Sequence, residues 1–427
     1  MALRKSDKLR ESILTLPPIS KTYYFLAWLI SDAYILSYPR SGRTWLKVML
    51  NKMLSLKYNL KKDNIYLYRK TLFSKAPNIV SEHPFEPDYP TIYPYPKMKV
   101  GKKFKKKKII LPELEVVDHI EKLLVDAAKY RLISDVPVGS FLSGGLDSSI
   151  LVWEMARQHA QPIKTFTIGF QEEGYNEFKY ADEVSRHCKT DHKEILLNTE
   201  EYLSSLQTMI RIKDAPLSVP NEIALHELSK LLKKDITVVL SGEGADELFG
   251  GYGRIFRSAY DYQRVQNYGV EKLPTELRDN LLKKYKNLEW SSEVEHFLSQ
   301  YSYLDSNVKD KLFRKDVMSS LGDDPHNYNF FINKWSKLDG LDLHEKYMWI
   351  FQKVHLQGLL GRLDSATMSA SVEGRVPFVD HRLIEYVNKL PLHCKMKWIN
   401  EEKYKQAENL NSSQISEQYD ITKYLLR

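Results

Sequence analysis

Cysteine is almost absent. Cys188 and Cys394 are the only two in 427 residues. Two thiols cannot staple a small secreted fold, so a disulfide scaffold is excluded and a reducing, cytoplasmic setting is expected. Long apolar runs are missing as well. The most apolar window, residues 23–38, is shorter than the ~20 residues that cross a bilayer, and Asp32 interrupts it. It reads as a buried helix, turn and strand, with no membrane association. No small-residue cleavage site follows the basic N-terminus, which argues against a signal peptide. Nor is there a general excess of positive charge. Lysine and arginine number 63 against 55 acids, and the eight lysines of residues 97–108 account for the whole difference. That is one local run rather than a surface shaped for nucleic acid, and no specific nucleic-acid partner is expected. No internal repeat is visible.

What is present is an ordinary globular composition, 43% hydrophobic and 12% aromatic, over a length that predicts two or three domains. The first region, residues 1–92, ends in the proline-rich stretch H-P-F-E-P-D-Y-P-T-I-Y-P-Y-P. Residues 93–111 follow as a proline- and lysine-rich linker, because prolines favour extended chain and clustered lysines repel one another. From 113 to 427 the texture changes. Residues 113–132 carry apolar side chains at helical spacing. Short apolar segments at V-P-V-G-S-F-L, 164–170, 193–197 and 236–242 alternate with helical segments starting near Ser148 and at 176–187, 200–212 and 221–234. That alternation predicts an α/β fold, a parallel sheet with helices on both faces. Residues 255–427 read as mostly helical, with no strands.

Two segments carry chemistry. S-G-G-L-D-S-S, Ser143 to Ser149, lies directly after a strand and before a helix. Gly144 and Gly145 let backbone approach an anion, the hydroxyls of Ser143, Ser148 and Ser149 can donate to it, and a helix N-terminus adds free N–H groups. This is a pyrophosphate cradle, without the G-K-[S/T] of a Walker loop. Asp147 within it would repel phosphate unless a cation stood between them, which points to Mg2+. The second segment, S-G-E-G-A-D-E-L-F-G-G-Y from Ser241 to Tyr252, follows the fourth strand and holds Glu243, Asp246 and Glu247. If both loops sit at neighbouring strand ends, Asp147 and Asp246 can share one Mg2+. Glu243 would then lie near the reacting phosphate, placed for proton transfer or for orienting a nucleophile.

These stretches, with T-F-T-I-G-F and L-L-G-R-L-D-S-A-T-M-S-A-S-V-E-G-R-V-P-F-V-D-H-R, resemble in order the synthetase domain of the glutamine-hydrolysing asparagine synthetases. The resemblance implies an adenine-nucleotide alpha-hydrolase-like sheet with a pyrophosphate loop and a mostly helical C-terminal half. It implies ATP and Mg2+ as cofactors, activation of aspartate or a similar acid as an acyl-adenylate, and attack by ammonia. By motif position it places pyrophosphate at Ser143–Ser149 and adenosine against Leu142, Ile168, Ser241 and Gly242. Metal falls to Asp147 and Asp246. Catalytic roles fall to Glu243, to Lys423 in K-Y-L-L-R, and to Glu373, with Arg375 and Asp380 on the substrate side. The family's glutaminase domain needs a cysteine at its mature N-terminus. Residue 2 here is Ala, so ammonia is expected free or from a glutaminase partner. No R-K-x-x-G-F-like segment follows Lys423, which implies impaired turnover.

In the first region, I-L-S-Y-P-R-S-G-R-T-W-L-K-V-M-L resembles the phosphate loop of the sulfotransferases, with Arg40, Ser41, Gly42, Arg43 and Thr44 as its anion-binding residues. N-I-V-S-E-H-P-F-E-P resembles that family's next strand, and the resemblance ends there. Four readings stand at this point. They are an amide-forming ligase of asparagine synthetase type, an inactive ATP-binding remnant, a related lactam- or ring-closing synthetase, and a sulfotransferase using 3′-phosphoadenylyl sulfate.

Overall fold

The computed structural model describes residues 111–427 apart from 172–175, 214–216, 218, 220, 303–313, 315–318 and 320–324. Before residue 111 it describes three short strands. The chain divides into two compact units, Met1–Val100 and Gly101–Arg427. In the first, β1 (Ala2–Leu3) pairs antiparallel with β2 (Ala33–Leu36), and β2 pairs parallel with β3 (Ile79–Glu82). The arginine-bearing loop, Arg40–Thr44, lies outside the described residues, and so does the linker up to residue 110.

The second unit opens with α1 (Glu113–Leu132) and runs through β4 (Val138–Phe141), α2 (Leu146–Gln158), β5 (Lys164–Phe170), α3 (Phe178–Cys188) and β6 (Asp191–Leu197). It continues through α4 (Thr199–Lys213), α5 (Asn221–Leu232) and β7 (Val238–Leu240). The sheet has the order β6-β5-β4-β7-β8, with all four pairings parallel. Side chains alternate between its faces, as pleating requires. Val238 and Leu240 pack with Ala128 of α1 and with Leu151 and Met155 of α2. Val239 points the other way and packs with Phe166, Leu228 and Leu232. The expected α/β sheet with helices on both faces is therefore present.

The region after residue 255 is mostly helical, as expected, but three short strands stand in it where none was expected. β8 (Glu373–Arg375) is the edge strand beside β7. Its sequence, E-G-R, has no apolar run to announce it. It is held by backbone, Glu373 N donating to Thr237 O at 2.9 Å and Ser241 N to Arg375 O at 2.8 Å. β9 (Met396–Trp398) and β10 (Asp420–Thr422) form an antiparallel pair. The helices of this half enclose an aromatic core that includes Phe256, Phe297, Trp335, Tyr347 and Phe351.

The segment around β8 is clamped to α1 by charge. Arg375 donates to the carbonyls of Arg131 and Ile133 at 2.7 and 2.8 Å, closing the end of α1. Asp380, 4% exposed, accepts from Arg131 at 2.6 Å and from Arg382 Nε at 3.0 Å. Burial works against its charge, but these two guanidinium groups hold its carboxyl down at about 2. An acid held below its ordinary value near ~3.9 stabilises the fold fully above that pH and loses the contribution as pH falls toward 2. Asp380→Asn is therefore expected to cost about 2–3 kcal/mol at pH 7. In urea unfolding the gap to wild type should narrow between pH 5 and 3. A gap that stays constant over that range would show that charge is not what holds this joint.

Candidate active site

Strand order places the two glycine-rich loops. The chain runs outward from β4 through β5 to β6, then returns to β4's other side with β7 and β8. Direction reverses between β4 and β7, and in open α/β sheets such a switch point, at the carboxyl ends of the strands, is where the ligand crevice lies. The β4 loop, Ser143–Ser149, and the β7 loop, Ser241–Tyr252, both stand there. They touch. A Cβ on Gly242 would lie 3.1 Å from Asp147 Cβ and 3.2 Å from Ser148 N, so any side chain there would press the second loop away from the start of α2.

The β4 loop is tied to itself. Ser148 Oγ takes a bond from Ser143 N at 3.2 Å and donates to Gly145 O at 3.1 Å, while Ser149 Oγ donates to Gly145 O at 2.7 Å. Leu142 is buried with Val152 and Ala181, so its side chain belongs to the core, and its N–H donates to Phe166 O at 2.9 Å. Ile168, half-buried, packs against the cluster around Phe166. Ser241 is buried, and its hydroxyl accepts from Glu243 N at 3.4 Å.

Lys423 closes the site. Its Nζ lies 2.6 Å from Asp147 Oδ2 and 2.6 Å from Asp246 Oδ1. Its backbone is left-handed, φ 52°, a conformation that a side chain with a Cβ adopts at some cost. The residues after it are anchored. Leu425 and Leu426 are buried with Val116, Ala245 and Phe378, and Tyr424 N donates to Lys395 O at 2.9 Å. Burial disfavours the Lys423 ammonium, yet the two carboxylates raise it above its ordinary value. Burial pushes the Asp147 carboxyl up against the pull of Lys423. Asp147 Oδ1 is buried and accepts no hydrogen bond, which is unusual for a carboxylate and suits a cation ligand. Among the described residues no group of three or more His, Cys, Asp and Glu makes a self-sufficient metal cage. Two carboxylates suit an ion that takes its other oxygens from phosphate and water.

Residues that the sequence reading did not assign complete the crevice. Among the described residues α5 is followed by α6 (Ala245–Phe249), α7 (Gly253–Phe256), α8 (Ser258–Tyr268), α9 (Thr275–Tyr285), α10 (Glu293–Tyr301) and α11 (Pro325–Trp335), and a π-helical turn, Phe351–His355, joins α12 (Leu343–Ile350) to α13 (Leu356–Ser369). On α13, Arg362 pairs with Glu243 Oε1 at 2.8 Å and donates to Asn221 Oδ1 at 3.0 Å. On the π turn, Gln352 Nε2 donates to Glu247 O at 3.2 Å. Glu247 itself is 1% exposed. Burial lifts its carboxyl to about 7 although Tyr252 Oη donates to it at 2.7 Å. Sequence pattern offered no signal for Arg362, because an arginine in a mixed helix that also carries Gln357, Asp364 and Thr367 is ordinary. Glu373 is not brought in. It begins β8 opposite Val238, at the strand end away from the loops, is half-exposed, and pairs only with Arg375 at 2.9 Å among the contacts described. Arg375 and Asp380 stand in the α1 clamp and Glu373 meets Arg375, and no contact described brings these three to the two loops.

A family model described as asparagine synthase matches residues 119–427. The chain belongs to the asparagine synthase family. It is 30% identical over 67% of its length to asparagine synthetase (glutamine-hydrolyzing) 1 of Bacillus subtilis strain 168, and 27% identical over 68% to amidase chyE of Penicillium rubens. It spans 45% and 48% of those relatives, a little under half of each. Among solved structures it is similar to an NH3-dependent NAD synthetase from Campylobacter jejuni. That match has 14% identity and a TM-score of 0.26 and covers 57% of this chain and 96% of the other. Among the described residues no helix is long and apolar enough to cross a membrane.

Gly251 tests the crowding at this asparagine synthase-like site. A Cβ there would collide with the Asp246 carboxylate and Lys423 Cε, both flexible side-chain ends. Gly251→Ala is therefore expected to cost about 1–3 kcal/mol of stability and to weaken ATP binding at least tenfold. Calorimetric melting and nucleotide titration check the two halves. Unchanged ATP affinity would show that the carboxylate–lysine arrangement is not part of the nucleotide site.

Proposed function

We propose that residues 113–427 form the adenylating part of an amide-forming ligase. ATP activates the carboxylate of aspartate or a similar acid as an acyl-adenylate, pyrophosphate departs, and ammonia displaces AMP. The observation that carries this reading is the meeting of Asp147 and Asp246, from separate glycine-rich loops, on one cation position at the switch-point crevice.

The residues divide the work. Ser143, Ser149 and the N–H groups opening α2 receive the pyrophosphate, where the helix dipole favours negative charge. Mg2+ held by Asp147 and Asp246 would neutralise charge on the phosphates. The Lys423 ammonium offers a further positive charge at the same point. Arg362 fixes the Glu243 carboxylate beside the crevice, where it is placed to receive a proton from the attacking ammonia. Asparagine synthetase relatives named as glutamine-hydrolyzing support ammonia as the nucleophile. Its source here is free ammonia or a glutaminase partner.

The test is pyrophosphate release with ATP and ammonia across a panel of carboxylic acids. Release that depends on one acid is expected. Asp147→Asn and Glu243→Ala should each lower it by ~10²-fold or more. Arg362→Gln should lower kcat by about tenfold with little change in the KM for ATP, because it acts through Glu243 rather than on nucleotide. ATP binding with no acid-dependent release or exchange would overturn the ligase reading in favour of a binding remnant.

A further inference from the structure

Resting on the reading of Asp147 and Asp246 as the cation site, we propose that Lys423 is a resident cation that excludes free divalent metal from that position and yields it only when a polyphosphate arrives to take the ammonium. Lys423 is thereby a positioning residue, coupling metal entry to nucleotide entry.

Four observations converge. Lys423 Nζ bridges the two carboxylates at 2.6 Å each, contact distance for a charge-assisted pair. It uses Asp147 Oδ2 and leaves Oδ1 buried without a donor, so the lysine neutralises the pair but does not satisfy every oxygen. The backbone is held left-handed at this one residue, between β10 and the buried Leu425 and Leu426. The side chain is thus aimed by the fold toward the two carboxylates. Gly251, having no Cβ, lets Lys423 Cε and the Asp246 carboxylate pack directly against its backbone.

The electrostatics gives the direction. A metal approaching alone must displace a unit charge already in contact with both carboxylates, and the ammonium would then sit buried and unpaired. A metal arriving with phosphates brings the lysine a new anionic partner, so the exchange proceeds with little loss. Metal alone should therefore bind weakly, and metal with nucleotide should bind cooperatively, each raising the affinity of the other by the same factor.

The experiment uses the full chain and Mn2+ alone, read by the electron paramagnetic resonance signal of the free ion, with no nucleotide or acid present. Lys423→Met is expected to bind Mn2+ tighter than wild type by about tenfold or more, a conservative figure for removing one competing charge at an effective dielectric near 20. Lys423→Arg, which keeps the cation, should stay as weak as wild type. Adding Asp147→Asn to the methionine variant should abolish the gain. Should the methionine variant not fold, wild type supplies the same answer. Acetylation of Lys423 by acetic anhydride, followed by peptide mass spectrometry, should quicken as Mn2+ saturates the site. Unchanged Mn2+ affinity in Lys423→Met, a gain that survives Asp147→Asn, or acetylation indifferent to bound Mn2+ would each overturn the proposal. None of these readouts needs catalytic turnover, so a chain that makes no amide could still pass, and an active ligase could still fail.

Discussion

Strand β4 hydrogen-bonds to β5 on one side and to β7 on the other, in parallel and in register from Val138 opposite Val238 to Ser140 opposite Leu240. Everything at the site descends from that pairing. Because the two strands end level, the loops that leave them start from neighbouring points and rise on the same side of the sheet. Gly242 then allows the second loop to lie on the first turn of α2. A shift of the pairing by one residue would turn Val238, Val239 and Leu240 to the wrong faces and expose two core clusters. The burial of ordinary apolar side chains is thus what locks the carboxylates opposite each other.

Charge balance is the second constraint. Bringing Asp147, Asp246, Glu243 and Glu247 to one sheet edge concentrates negative charge in a partly dry place, which is costly without partners. Each is answered differently. Lys423 lies between the two aspartates, Arg362 holds Glu243, and Glu247 is buried with the Tyr252 hydroxyl, its carboxyl pushed toward neutrality. Two of these answers come from far along the chain, on α13 and after β10. The helical half of the domain therefore does more than cover the sheet. It supplies the cations that make the loop pair tolerable.

The same residue types serve stability a short distance away. Arg131, Arg375, Asp380 and Arg382 resemble a site in composition, yet they join the end of α1 to the segment after β8. Sequence pattern cannot separate such a joint from a substrate pocket, because both ask for a buried or half-buried pair of opposite charges. Glu373 itself lies at the loop-distant end of β8, opposite Val238.

Local signals carried a good deal. Apolar runs bounded by helical patterns marked β4 to β7, and glycine, serine and acid crowded after β4 and β7 marked the loops, since those residue types answer to nearest-neighbour geometry. β8 escaped, because E-G-R pairs through backbone and an edge strand needs no apolar side chains. Arg362 escaped as an actor for a similar reason: nothing beside it in the chain tells which carboxylate it will meet. What the sequence by itself determined is the set of elements and the chemistry each loop carries, for these follow from neighbours a few residues apart. Only the tertiary structure decided that Lys423 would stand between Asp147 and Asp246 and that Glu373 would not join them. Those outcomes depend on strand order and on the closing of segments hundreds of residues apart, where no local preference reaches.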